Sequence, residues 1–221
     1  MKNNYSALYQ TWMFESTDAQ GWNTIDYSFI KFTKEGKLEF IDLNGKVIKA
    51  HNFRINDKAE IIVSENKVLA KIIELNDQKL ILAFVGKQLN NNIQNKYSFI
   101  PKVQTKTSFN KKEISDYIAK YNWRTTMFSS GNNSLDIELS PKNIDLELEL
   151  KMITQKGERK NEMAMPARIV SFDNTYFLEY KIPGMASATE RFIIATITED
   201  DFFIKIMTEN GEYEKRAMVK F

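Results

Sequence analysis

The chain has 221 residues, 43% hydrophobic and 12% aromatic with only four prolines, enough apolar side chain to order a core without a metal or disulfide staple. Lys+Arg 31 against Asp+Glu 29 leaves a net charge of +2, too balanced to act as an electrostatic footprint for nucleic acid or an anionic membrane. The absence of cysteine excludes disulfides, thiolate nucleophiles and Cys-ligated zinc, and the length admits one large β domain or two domains of about 110 residues.

The first residues, Met1-Lys2-Asn3-Asn4-Tyr5, carry no basic segment followed by an apolar one, and no run approaches the ~20 apolar residues of a spanning helix. A soluble, cytoplasmic protein is expected from this. A periplasmic or surface location follows instead if a leader has been removed.

From Trp12 onward, short apolar runs alternate with turn chemistry every eight to twelve residues, the pattern of a β-sandwich or barrel. Strands are predicted at Tyr27–Phe32, Leu38–Phe40, Val47–Ile55, Ala59–Val63, Val68–Leu75 and Leu80–Val85. Lys34-Glu35-Gly36 and Asn44-Gly45 supply tight turns, and Asn-Gly is a strong hairpin signal because both residues tolerate positive φ. Strands joined so closely pair antiparallel. Lys87–Lys96 reads as a loop, Tyr97–Ile100 as a last strand stopped by Pro101, and the polar stretch Lys102–Asn110 as a linker.

The period then changes. Ile114, Tyr117, Ile118 and Tyr121 recur at helical spacing, and Asn110 with Glu113 three residues on forms a capping box, so one short helix is predicted at about 111–121. Strands resume at Trp123 and continue through Leu135–Leu139, Ile144–Ile153, Ala167–Val170, Tyr176–Ile182, Arg191–Ile197, Phe202–Thr208 and Tyr213–Phe221. The expected fold is all-β: two tandem antiparallel up-and-down β-barrel or sandwich units, 1–104 and 105–221, with one short helix between them.

Each half opens on a tryptophan, Trp12 in Tyr9-Gln10-Thr11-Trp12 and Trp123 in Lys120-Tyr121-Asn122-Trp123, followed by a meander of about eight strands. This plan resembles the lipocalin-like domains common in bacteria such as the Bacteroidetes, in which the first strand carries Gly-x-Trp and the tryptophan plugs one barrel end. The glycine position here holds Gln10 and Tyr121, so neither copy keeps the whole motif. The resemblance implies two small barrels, either hollow enough to admit an apolar ligand or filled by their own side chains.

Candidate chemistry is sparse. His51 is the only histidine, lies in an alternating strand and has no Ser-His-Asp or Glu-x-x-His spacing, so it reads as an ordinary strand residue. In Ile144-Asp145-Leu146-Glu147-Leu148-Glu149-Leu150 every acid falls on one face, either an acidic stripe for a basic partner or a solvated outer surface. Glu199-Asp200-Asp201 lacks the glycine and terminal glutamate of a calcium loop and reads as a turn. Glu162–Ala167 and Ile182–Ser187 are less charged than their surroundings and rich in methionine. Met163, Met165, Pro166 and Met185 are therefore the candidate ligand- or partner-binding residues, at a barrel mouth or partner rim, although methionine equally suits core packing. No phosphate loop or nucleophile elbow occurs, and no metal or cofactor is called for. The expected function is a non-enzymatic binding or scaffold protein whose partner is another protein or a small apolar ligand. An enzyme with an unrecognised carboxylate site is the alternative.

Overall fold

Period-two alternation turns most of the chain into strand, and tight turns fold consecutive strands back on one another. The computed structural model describes residues 5–17, 28–85, 94–142, 147–182, 189–207 and 213–221, and divides the chain into two units, Met1–Lys102 and Val103–Phe221. No described helix is long and apolar enough to cross a membrane.

The first unit contains β1 (Thr11–Thr17), β2 (Phe29–Phe32), β3 (Lys37–Ile41), β4 (Val47–Asn52), β5 (Arg54–Ile55), β6 (Glu60–Val63), β7 (Lys67–Leu75), β8 (Leu80–Val85) and β9 (Gln94–Pro101). They form one antiparallel sheet in the order β4-β3-β2-β1-β9-β8-β7-β6-β5. Its two outermost strands are separated in sequence by Phe53 alone. A single bent strand thus lies at both ends of the sheet and curls it into a nearly closed up-and-down barrel. The bend is held by Phe53, whose backbone N–H donates to the Gly36 carbonyl at 2.7 Å and whose ring meets Phe32 edge-on. Gly36 has φ +80°, and a Cβ there would come within 3.2 Å of the Phe53 carbonyl oxygen, so this turn tolerates little but glycine.

The second unit repeats the plan with β10 (Trp123–Ser130), β11 (Asn133–Lys142), β12 (Glu147–Lys156), β13 (Arg159–Phe172), β14 (Thr175–Lys181), β15 (Thr189–Ile197), β16 (Phe202–Met207), β17 (Tyr213–Ala217) and β18 (Val219–Lys220). The order is β17-β16-β15-β14-β13-β12-β11-β10-β18, again antiparallel, and again the outermost strands are consecutive, here separated by Met218. Buried Met218 donates its N–H to the Phe202 carbonyl at 2.8 Å, which fixes the second bend. The fold is all-β with two barrel-like sheets and, among the described residues, one short α-helix, as the periodicity predicts.

That helix, α1 (Lys111–Ala119), begins on the expected capping box: Asn110 Oδ1 accepts from Glu113 N, and the Glu113 carboxylate accepts from Asn110 N at 2.7 Å. Ile114 and Ile118, one turn apart, are buried in the core of the second unit.

Both tryptophans are buried on the first strand of their sheet, Trp12 at 0% exposure and Trp123 at 2%. Each indole N–H donates to a carbonyl of the helical turn just before it: Trp12 to Leu8 at 3.0 Å, at the end of the 3₁₀ turn Ser6–Leu8, and Trp123 to Ile118 at 2.9 Å. Each indole is therefore packed in its unit's core with its one donor satisfied, on a carbonyl that also accepts a backbone N–H, from Gln10 at Leu8 and from Tyr121 at Ile118. The core of each unit draws on nearly every strand around the sheet, with Ile30, Leu38, Ile61, Leu82 and Phe99 in the first and Ile137, Leu150, Ile169, Leu178, Ile194 and Ile204 in the second.

Three expectations change. Lys102–Asn110 is not a free linker: Thr105 is buried, donates its hydroxyl to the Ile194 carbonyl at 2.6 Å and accepts from Tyr176 N at 2.9 Å, while Lys106 bridges Thr196 in parallel. These polar residues pair with β14 and β15, so they belong to the second unit. Ser140-Pro141-Lys142, beyond the predicted strand Leu135–Leu139, forms the end of β11, with Pro141 opposite Leu148. The methionine segment Met163–Pro166, ahead of the strand predicted from Ala167, lies inside β13, in register with Pro166–Glu149 and Met163–Met152 pairs.

Candidate functional site

Strand alternation sorts the candidate methionines. Met165, opposite Leu150, points into the core and is 1% exposed, so it packs the barrel interior and is not on the outer surface. Met163, two residues earlier on the same face, lies nearer the strand's outer end and is 47% exposed. The cross-strand row Ile137, Met152, Met163 runs from buried through half-buried to exposed. Pro166 is exposed on the opposite face from Met163 and Met165. Met185 falls in 183–188, outside the described residues. The structure therefore brings Met163 and Met165 onto one face at different depths, and of the two only Met163 is accessible.

His51 lies on β4. Its ring stands edge-on to Phe40, and its Nε2 is buried without a hydrogen-bond partner. Desolvation, with Lys49 and Lys67 adding to it, lowers its pKa below the ordinary imidazole value. The acids on the strands are largely paired with neighbours: Glu138 with Arg124 at 2.8 Å, Glu149 with Lys151 at 3.4 Å, and Asp136 accepting from the Thr126 hydroxyl at 2.6 Å. Asp145 lies outside the described residues. Glu199-Asp200-Asp201 is a hairpin turn, closed by Thr198 N donating to the Asp201 carbonyl and Asp201 N donating to the Thr198 hydroxyl. No group of three His, Asp or Glu among the described residues is placed to hold a metal.

A surface feature among the described residues lies at α1. An open groove of about 530 Å³ is lined there by Phe109, Glu113, Asp116, Tyr117, Lys120, Tyr121 and Glu199. The helix puts these residues there for a plain reason. Ile114 and Ile118 turn inward, and Tyr117 and Tyr121, one turn apart, fall along the edge of that apolar stripe. The Tyr117 hydroxyl donates to the Glu199 carbonyl, which ties the helix to the β15–β16 turn.

Below the groove the rings pack on one another. Tyr117, Tyr121 and Trp123 have centroids 5.6–5.8 Å apart, Phe109 adds to Tyr117 at 5.5 Å, and Trp123 rests edge-on against Phe202 at 5.0 Å. Lys220, from β18, places its ammonium 4.3 Å from the Tyr121 centroid, 5.3 Å from Tyr117 and 5.4 Å from Trp123. Three aromatic rings thus surround one cation. A hydrogen bond to the Tyr117 phenol raises the Lys220 pKa above the ordinary lysine value, with Tyr117, Tyr121 and Asp200 adding electrostatically. Asp116 is held by Lys112 at 2.6 Å, but both side chains are largely exposed, so that pair exchanges at little cost.

Sequence reasoning reads Tyr117 and Tyr121 only as helix periodicity. Their spacing beside Glu113 and Asp116 is the one signal of a groove that the sequence carries, because Glu199 and Lys220 arrive from distant strands. No protein-family model matches the chain, and no curated protein matches it in sequence.

Proposed function

We propose that this chain is a non-enzymatic binding or scaffold protein of two lipocalin-like barrels that engages a partner protein through the outer surface of its second barrel, at the α1 groove. The carrying observation is the pairing of an open groove of about 530 Å³, edged by Phe109, Tyr117 and Tyr121, with a barrel core packed by side chains from nearly all of its strands. Aromatic residues that present apolar faces beside polar atoms suit a recognition surface. A carrier would instead need a continuous apolar cavity along the barrel axis, where Leu150, Met165, Ile169, Leu178 and Ile194 are packed. The tryptophan on the first strand of each eight-turn meander supports the lipocalin-like reading in both halves.

The test is a two-dimensional amide NMR titration of the full chain with a panel of cationic, anionic, neutral-peptide and fatty-acid probes. Saturable shifts clustered at Tyr117, Lys120, Tyr121 and Glu199 are expected. Shifts concentrated at inward residues such as Leu150 and Leu178 on adding fatty acid would replace surface recognition with carriage.

A further inference from the structure

The groove carries information about its occupant. Its charged lining residues are Glu113, Asp116 and Glu199 against Lys120, with Lys112 paired to Asp116 beside it, and two of its other lining residues, Tyr117 and Tyr121, belong to the ring cluster that holds the Lys220 ammonium. Aromatic faces carry negative quadrupole density, so acids around such faces make a site for an ammonium or guanidinium group. An anionic segment would meet like charge at Asp116 and Glu199, and a purely apolar one would desolvate them.

We propose that the groove binds a basic segment of a partner protein, seating a lysine or arginine side chain against Tyr117 and Tyr121, and that Lys220 is an internal occupant which this side chain displaces. The inference rests on the surface-recognition reading and gives it a ligand class. Several features make displacement feasible. Lys220 is exposed and sits on a two-residue strand that pairs only with Trp123 and Arg124. Its attraction to the rings comes from the side chain, whereas the strand pairing comes from the backbone, so the lysine can swing out while β18 stays in place. Arg124 over the Phe221 ring and the Phe221 N–H to the Asn122 carbonyl give that end of the chain two further holds. The incoming group gains Glu113, Asp116 and Glu199, which line the groove, whereas Asp200 is the carboxylate that acts on Lys220.

The experiment uses the full chain, a blocked tetralysine peptide as probe, a blocked tetraglutamate control, and two variants, Lys220→Met and Asp116→Asn/Glu199→Gln. Lys220→Met keeps the aliphatic stem over the rings and removes the competing charge. Tetralysine should shift the amides of Tyr117, Tyr121 and the 198–201 turn, bind roughly tenfold tighter to Lys220→Met, and bind several-fold weaker to the double variant, with the weakening reduced at high salt. A circular dichroism melt verifies that each variant is folded. Equal affinity of wild type and Lys220→Met overturns the displacement, and absence of groove shifts with tetralysine in both overturns the cation site. If a neutral or anionic probe shifts the groove while tetralysine does not, the ligand class is wrong and surface recognition stands. If only inward-facing residues respond, both readings fall.

Discussion

The two barrels follow one plan and finish it differently. Both start with a helical turn capped by a tryptophan indole, and both close by bending one strand so that its halves serve opposite ends of the sheet. In the first the bend is at Phe53, in the middle of the meander, and the first and last strands, β1 and β9, pair along most of their length. In the second the bend is at Met218, and only Trp123 and Arg124 pair with the closing strand. The opening turn differs too: three residues of 3₁₀ helix in the first unit, nine residues of α-helix in the second. A three-residue turn has no outer face to offer. The longer helix buries Ile114 and Ile118 and still presents Glu113, Asp116 and Tyr117, with Tyr121 just past its end, and these four residues line the groove. The pairing that closes the second barrel is short, and it is there that the lysine–aromatic cluster sits, so side chains reinforce what the backbone ladder leaves weak.

The largest expected effect comes from removing either tryptophan. Trp12→Ala and Trp123→Ala each delete a buried ring and its indole hydrogen bond to a helix-end carbonyl, and each should cost about 3–5 kcal/mol in its own unit. Because the chain divides at Lys102/Val103, we expect urea unfolding monitored residue by residue to show the first unit melting early in Trp12→Ala while the second is unchanged, and the reverse in Trp123→Ala. Coincident loss of both units in either variant would show that they unfold as one cooperative body.

A smaller contrast tests strand depth within the second barrel. Met165→Ala should destabilise by about 2–3 kcal/mol, the low end for a buried residue of this size because neighbouring methionine and isoleucine side chains can shift into the space. Met163→Ala, on the same face but nearly half exposed, should change stability by less than about 0.5 kcal/mol. Equal costs measured by chemical denaturation would mean that Met163 is covered in solution.

These residues also show what the sequence makes legible. Alternation and Asn-Gly turns reveal the strands of the meander, and the tryptophan spacing reveals the repeat, because both are local patterns. The bends at Phe53 and Met218 are invisible: neither carries turn chemistry, and their hydrogen bonds go to Gly36 and Phe202 at the end of the neighbouring strand, 17 and 16 residues away in sequence. The length of β13 is hidden for a different reason. Its residues Arg159–Ala164 are exposed on both faces, so no alternation marks them as strand and the methionines read as a connection. The groove is half legible. Tyr117 and Tyr121 announce a helix edge, but the Tyr117 partner Glu199 is 82 residues away, and no local pattern brings Lys220 to the same rings.

The smallest effect separates the barrels by pH. The second unit contains no histidine, so any midrange titration of an imidazole reports on the first. In the folded chain, desolvation of His51, with the positive charges of Lys49 and Lys67, pushes its pKa below the ordinary value of about 6.5 that the unfolded chain keeps. The folded state then binds fewer protons than the unfolded one as pH falls below about 6.5, and ∂ΔG/∂pH of unfolding is positive there. Stability of the first barrel is therefore full above the unfolded value, declines as pH drops through the window between the two pKa values, and levels off once His51 is protonated in both states. Replacing His51 with Gln removes the titrating group and should flatten that decline in the first unit while leaving the second unit's pH profile as it was. The measurement is the midpoint of urea unfolding for each unit between pH 5 and 8. A first-unit midpoint that rises as pH falls through an effect lost in His51→Gln would mean that the imidazole is stabilised in its charged form, and a slope unaltered by His51→Gln would mean that folding leaves its titration unchanged, either outcome against the geometry of a buried Nε2 beside Phe40.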